Sequence, residues 1–226
     1  MKCILSVEEL ITTLTTYFSY PQVRAQLLER FDEFEWLAPE REGLVALSWN
    51  GEISILESEQ YKQEVLKELV DYSLKKGFGK LQKRALEEEK ELYIQFGFEE
   101  VHQEEEYSVL EYLVANAWLG QLVHVEVDQV YGQIHPYLEN QQLPINIGYV
   151  YDAEKMESPV DAYVVGIKEA LSHFDGVVVA VIYHEGSEEA HLVVSRIGEQ
   201  IQKESILKDL AFQEQYFSSR IVWYSK

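Results

Sequence analysis

The chain has a single cysteine, Cys3, among 226 residues. One thiol can form neither an internal disulfide nor a cysteine-based zinc set. Basic residues are scarce, with 19 Lys and Arg against 40 Asp and Glu, for a formal net charge of −21. A surface that grips a phosphate backbone needs clustered Lys and Arg, so nucleic acid is not an expected partner. An anionic membrane surface would repel such a chain as well. Long apolar runs are missing too. The longest, such as Val177 to Tyr183, are far too short to span a bilayer. No basic stretch followed by an apolar run opens the chain, so no secretory signal is expected and the cytoplasm is the expected location. No His-Glu-x-x-His, Gly-x-Ser-x-Gly or Gly-x-x-x-x-Gly-Lys pattern occurs.

Hydrophobic residues make up 46% of the chain and aromatics 12%, which is ample for a packed core. The acidity is spread evenly. Residues 1–115 hold 12 basic and 24 acidic residues, and residues 116–226 hold 7 and 16. Such a balance favours solubility, and it also suits a basic protein partner drawn in by electrostatic steering.

Local signals predict an α/β (α+β) chain of mixed sheets with flanking helices. Ser6 with Glu9 forms a capping box ahead of an apolar stripe through Leu10, Leu14 and Phe18. Pro21 suits the first turn of a second helix, expected to carry Phe31 and Phe34. Two apolar strands on either side of Asn50-Gly51 predict a hairpin closed by a two-residue turn. Ser58 caps a third helix that ends at Gly77, and residues 87–96 read as a helix closed by Gly97. Beyond it, residues 122–130 alternate as a half-buried strand, and His135-Pro136 breaks the chain. Residues 158–174 read as a helix, 177–183 as a buried strand paired with 190–197, 205–216 as a helix and 220–224 as a last strand. Two halves follow, 1–115 and 116–226, the second a helix-hairpin-helix-strand unit. No Pro- or Gly-rich linker separates them, so close packing between them is expected.

Within residues 44–113 the order hairpin, helix, short strand, helix, strand resembles the GCN5-related N-acetyltransferase (GNAT) fold. Leu66 to Leu81 resembles the helix after that family's coenzyme loop. Leu92-Tyr93-Ile94-Gln95-Phe96-Gly97-Phe98 resembles its closing motif, a tyrosine four residues before a Gly-Phe pair. With the first two helices, the likeness extends over residues 1–115. The resemblance implies acetyl-coenzyme A as cofactor and Tyr93 as general acid to the departing thiolate, since a phenol keeps its proton at neutral pH yet yields it to a stronger base. The segment matching the family's Gly-rich pyrophosphate loop, residues 56–63, contains no glycine and carries Glu57 and Glu59. An acetyltransferase-like protein with a degenerate GNAT domain is therefore the first expectation. A non-enzymatic acidic interaction module, an inhibitor or immunity-type protein for a basic partner, is the second.

Other chemistry-bearing residues are few. His124, Glu126 and Asp128 share one face of the strand at 122–130, where Val123, Val125 and Val127 would pack inward on the other; solvated polar residues are the expectation there, and no metal. His184 and His191 flank a turn and are placed to meet across a hairpin. The acidic runs Glu87 to Glu89 and Glu104 to Glu106 read as solvated faces. Cys3 is expected near a loose terminus with no base beside it.

Overall fold

The structure, a computed structural model, describes residues 1–58, 60–135, 141–199 and 202–225. Glu59 and Pro136 lie outside the described residues. The chain is a mixed α+β protein that divides into two compact units. One comprises residues 1–73 and 80–114, the other residues 74–79 and 115–226.

The first unit opens with β1 (Lys2–Cys3), α1 (Val7–Tyr17) and α2 (Pro21–Glu29). Ser6 caps α1 as expected, its hydroxyl accepting from the Glu9 backbone N–H at 3.1 Å. The second helix stops earlier than expected. Phe31–Glu33 form a short 3₁₀ turn, and Phe34–Ala38 form strand β2. Phe34, Trp36 and Leu37 are buried while Glu35 and Ala38 between and beyond them are half-buried, and Trp36 donates its indole N–H back to Phe31 O at 3.1 Å. This edge of the core needed an extended, aromatic-rich segment, and packing overrode the helical spacing.

Next come β3 (Leu44–Ser48) and β4 (Ile53–Glu57); β3 pairs antiparallel with β2 and β4 with β3, giving the order β1-β2-β3-β4. The hairpin is present, but its turn is longer than two residues. Gly51 N–H donates to Ser48 O at 3.1 Å and Ser48 N–H to Glu52 O at 3.0 Å. Gly51 sits at φ 77°, a left-handed position that lets the strand resume with a bulge between Ala46 and Leu47. Helix α3 (Lys62–Lys76) follows, then β5 (Leu81–Ala85), α4 (Glu87–Phe96), β6 (Glu99–Gln103) and β7 (Ser108–Tyr112). The last three strands form a second sheet, β5-β7-β6, with β6 at its edge. The core beside α1 gathers Ile4, Leu10, Leu14, Phe34, Trp36, Leu44 and Ala46.

The second unit is built on β8 (Leu122–Gln129), β9 (Asn146–Val150), β10 (Val160–Val164), β11 (His173–His184), β12 (Ala190–Ser195) and β13 (Ser219–Trp223), with α5 (Lys203–Glu214). Strand order is β12-β10-β9-β8-β11-β13, and β11 pairs with β12 as well. That pairing closes five strands into a ring, with β13 added outside β11. Strand β11 is long enough to serve both neighbours: residues 173–177 pair with β8, and residues 177–183 pair with β12 across a bulge between Val178 and Ala180. Among the described residues of this sheet, only β10 and β12 run parallel.

Residues 158–174 are therefore not a helix. Val160, Ala162, Tyr163 and Val164 are buried, some facing into the ring and others facing α5. Strands buried on both sides read as unbroken apolar runs, which periodicity cannot separate from a helix. Asp175 and Gly176, which directly follow that expected helix, lie inside β11. On the outer side, Ile206, Leu210 and Phe212 of α5 pack on Tyr163, Val165, Ala180, Ile182 and Val193.

Candidate functional site

In the second unit, polar side chains from five elements converge beside the C-terminal end of α5. Glu214 is the hub. His184 at the end of β11 approaches its Oε2 through Nε2 at 2.9 Å, Ser219 at the start of β13 donates to Oε2 at 2.6 Å, and Tyr163 of β10 donates to Oε1 at 3.3 Å. The contact with Glu214 selects the His184 tautomer protonated on Nε2.

Four rings stack into a column here. Tyr163 lies flat against His191 at 5.3 Å, His191 meets His184 at 4.9 Å, and His184 stacks on Phe217 at 4.3 Å. The two histidines thus meet across the hairpin, as the sequence suggested. His191 Nε2 lies 3.5 Å from Asp161 Oδ2, while its Nδ1 is buried without a hydrogen-bond partner. Burial first, then the neighbouring Glu214, push the Tyr163 phenol well above its ordinary range. Burying so many polar atoms is costly unless they are paired, and here Glu214 pairs three of them. Glu214 thus satisfies Tyr163, His184 and Ser219, while His191 Nδ1 stays unpaired. Sequence spacing foretold only the two histidines. Glu214 lies 51 residues after Tyr163 and 5 before Ser219, on separate elements, and the β10–β12 and β11–β13 pairings bring them together.

At the other end of β11, His124 Nδ1 contacts Asp175 Oδ1 at 2.7 Å, its Nε2 contacts Glu126 Oε1 at 3.3 Å, and its ring stacks on His173 at 5.6 Å. Asp128 takes no part in these contacts. Among the described residues no three His, Cys, Asp or Glu side chains are grouped so as to hold a metal ion. The hydrogen bond that His124 donates to Asp175 raises the His124 pKa, aided by Glu126 and opposed by partial burial. A raised folded-state value means that this contact stabilises the fold below the ordinary histidine pKa, and that the contribution fades as pH rises through the raised value. In an NMR titration, His124 should lose its proton above the ordinary histidine value of about 6.5. Asp175→Asn should bring that midpoint down; an unmoved midpoint would remove Asp175 as the cause.

In the first unit, Tyr93 on α4 is 1% exposed, and its ring packs edge-on against Phe98 at 5.2 Å. Lys83 Nζ lies 5.8 Å from the ring centroid. Burial, followed by Glu89 and Glu57, raises the phenol pKa. Cys3 is not in a loose terminus. It pairs in β1 with Leu37, and its thiol donates to Glu35 Oε1 at 3.4 Å beside the Tyr72 hydroxyl at 3.3 Å. Burial and these two neighbours push Tyr72 far up.

The same unit carries an acidic edge. Strand β6 is exposed at all of its 5 residues and leads into Glu104, Glu105 and Glu106. These three glutamates and Tyr107 line a hollow of about 460 Å³. Arg84 holds the Tyr107 ring, with its guanidinium carbon 5.4 Å from the centroid, and Glu104 accepts from the phenol and raises its pKa.

No protein-family profile and no curated protein matches the chain. Among solved structures it is similar to inorganic pyrophosphatases. The Helicobacter pylori enzyme is 16% identical, with 46% of this chain and 83% of that one covered at a TM-score of 0.35. The Ehrlichia chaffeensis enzyme is 11% identical, with 47% and 88% covered at 0.37. The Neisseria gonorrhoeae enzyme is 12% identical, with 43% and 76% covered at 0.30. These neighbours are consistently pyrophosphatases and not N-acetyltransferases. The GNAT resemblance of residues 44–113, and the acetyltransferase function drawn from it, are accordingly corrected. The physical ground for that correction is local as well. The segment that had to cradle a pyrophosphate has no glycine to let backbone N–H groups approach it, and it presents Glu57. The role implied for Tyr93 rested on that resemblance alone; in the structure Tyr93 is a packed aromatic of the α4 face. Among the described residues no helix is long and apolar enough to cross a membrane.

Proposed function

We propose that this chain is a binding protein that takes an extended, basic polypeptide segment along the acidic edge of its first unit. The observation that carries this reading is strand β6. It stands at the edge of its sheet, is exposed at every residue, and runs directly into the glutamate-lined hollow at Tyr107. Among the described residues no strand pairs with the outer side of β6. An open edge offers backbone N–H and C=O groups to an added strand. Glu99 and Glu100 oppose pairing with a second copy, because like charges would face each other. A strand rich in lysine or arginine meets no such penalty, and one of its cations fits the hollow among the carboxylates of Glu104, Glu105 and Glu106. The formal charge of −21 steers such a partner in over a longer range. The setting is the cytoplasm, with no nucleic acid or membrane as partner.

A peptide of alternating lysine and threonine is the probe, with a glutamate-for-lysine version as control, both followed by calorimetry. The lysine peptide should bind and should weaken steeply as salt rises past about 0.15 M, where exposed charges are screened within about 8 Å. Replacing Glu104, Glu105 and Glu106 together by glutamine should weaken it about tenfold, since several exposed pairs worth up to about 1 kcal/mol each are lost. Glu105 and Glu106 are exposed and Glu104 is half-buried, and glutamine keeps the size of each side chain, so the fold is expected to hold. Equal binding of the two peptides, or indifference to the triple replacement, would overturn the reading.

A further inference from the structure

The second unit contains a cleft of about 580 Å³ that none of the polar clusters uses. That volume is in the range of small-molecule sites. Its floor is apolar, formed by Val177 and Val179 of β11, and Trp223 with the adjacent Tyr224 gives it an aromatic wall. Ile206 closes the side nearest α5. Two large aliphatic side chains stand at its rim almost fully in water: Leu122 is 69% exposed and Ile197 66%. Scattered exposed aliphatics mean little, but two that border one concave, aromatic-walled space form a continuous apolar surface.

The charge in the cleft is as informative as its walls. Lys203, in the first turn of α5, lines it, and its ammonium lies 5.1 Å from the Trp223 ring centroid. No carboxylate pairs with this ammonium among the described residues, in a chain where acidic groups outnumber basic ones by 40 to 19. Glu199 also lines the cleft and is exposed to solvent. A flat, apolar ligand would cover Trp223 and Tyr224, and a negative group on its end would meet Lys203.

We infer that this cleft is a binding site for a small molecule with a flat apolar body and a carboxylate end. The inference does not depend on the peptide-binding reading, which concerns the other unit. The ring of the ligand gains by leaving water against Trp223, Tyr224 and the two valines. Its carboxylate gains a charge-assisted hydrogen bond from Lys203 Nζ, a donor already pre-positioned by its contact with the indole.

The probe is indole-3-acetate, with indole and tryptamine as separate arms, titrated into the full chain and followed by ¹H–¹⁵N NMR. Trp223 is one of 4 tryptophans, and its side-chain N–H signal is assigned from Trp223→Phe. Indole-3-acetate should shift that signal, with a Kd of roughly 0.1–1 mM, about what a ligand of this size reaches. Lys203→Met keeps the stem on Trp223 and removes the charge. It should weaken indole-3-acetate about three- to fivefold, the worth of an exposed ion pair, and leave indole unchanged. Lys203→Arg should restore most of the loss. No shift at Trp223 with millimolar indole-3-acetate would overturn the site. Tryptamine binding as tightly as indole-3-acetate, or an affinity untouched by Lys203→Met, would overturn the carboxylate end. Lys203 is exposed, so neither variant puts folding at risk.

Discussion

Gly148→Ala should cost about 3 kcal/mol or more and leave the second unit largely unfolded, the upper end of what one added methyl does in a packed interior. Gly148 sits in β9 between two strands, opposite Val127 of β8 and Ala162 of β10. A Cβ at this position would lie 1.9 Å from the Glu126 carbonyl oxygen and 2.8 Å from the Val127 Cα. Those are backbone atoms held in the sheet, so no side chain can swing away to relieve the clash. The ring must open at β8–β9 or the strand must shift register. Gly186→Ala is the matched control. Gly186 is at φ 77° with nothing within 4 Å of a Cβ, so its replacement meets only the left-handed penalty of about 1–2 kcal/mol. Urea denaturation of both variants checks the contrast. Equal stability of the two would mean that β8 and β9 are not packed as closely as the structure shows.

The second large effect belongs to Glu214. Glu214→Leu removes the acceptor shared by His184, Ser219 and Tyr163. Breaking a buried, hydrogen-bonded group of this kind by one partner costs about 3–5 kcal/mol, because buried Tyr163 and His184 lose their acceptor and cannot reach water, whereas exposed Ser219 can. His184→Leu should also destabilise, through the loss of its contacts with Glu214 and Phe217. The double variant should cost less than the two single losses together, by about 1 kcal/mol or more, since removing both ends leaves no stranded partner between them. Strict additivity in a thermal or urea double-mutant cycle would show that the 2.9 Å contact carries no coupling.

What the sequence could reveal follows from how local each signal is. The Ser6 cap, the hairpin at Gly51, the helix after Ser58 and the helix stops at Gly77 and Gly97 depend on a few neighbouring residues, and all are present. The alternation of residues 122–129 is equally local, because one face of β8 is buried and the other is not. Residues 160–164 defeat the same kind of reading. Their environment is set by β9 on one side and by β12, about 30 residues later, on the other, with the ring interior and α5 above and below. Nothing near Val160 in the chain signals those partners. The ring column follows the same rule. His184 and His191 were visible because a hairpin joins them. Glu214 was not, because its place beside His184 depends on α5 lying across the outer face of the sheet. The cleft at Trp223 had no local signature either, since its walls come from β8, β11, α5 and β13.

Strand β11 has a consequence for the order in which this protein can be made. It pairs with β8, β12 and β13, and its outer partner β13 comes last of the strands, at residues 219–223. The first unit's hairpin and helices form from contacts close in sequence, and such contacts form quickly. The ring closes only after β12 has been synthesised, and the far edge of β11 is left bare until residue 223 has followed. Translation proceeds at roughly 5–20 residues per second, so that edge is exposed on the ribosome for seconds. During that interval the apolar run from Val177 to Tyr183 is the segment of the nascent chain most open to wrong pairing, and β13 ends the exposure by covering it.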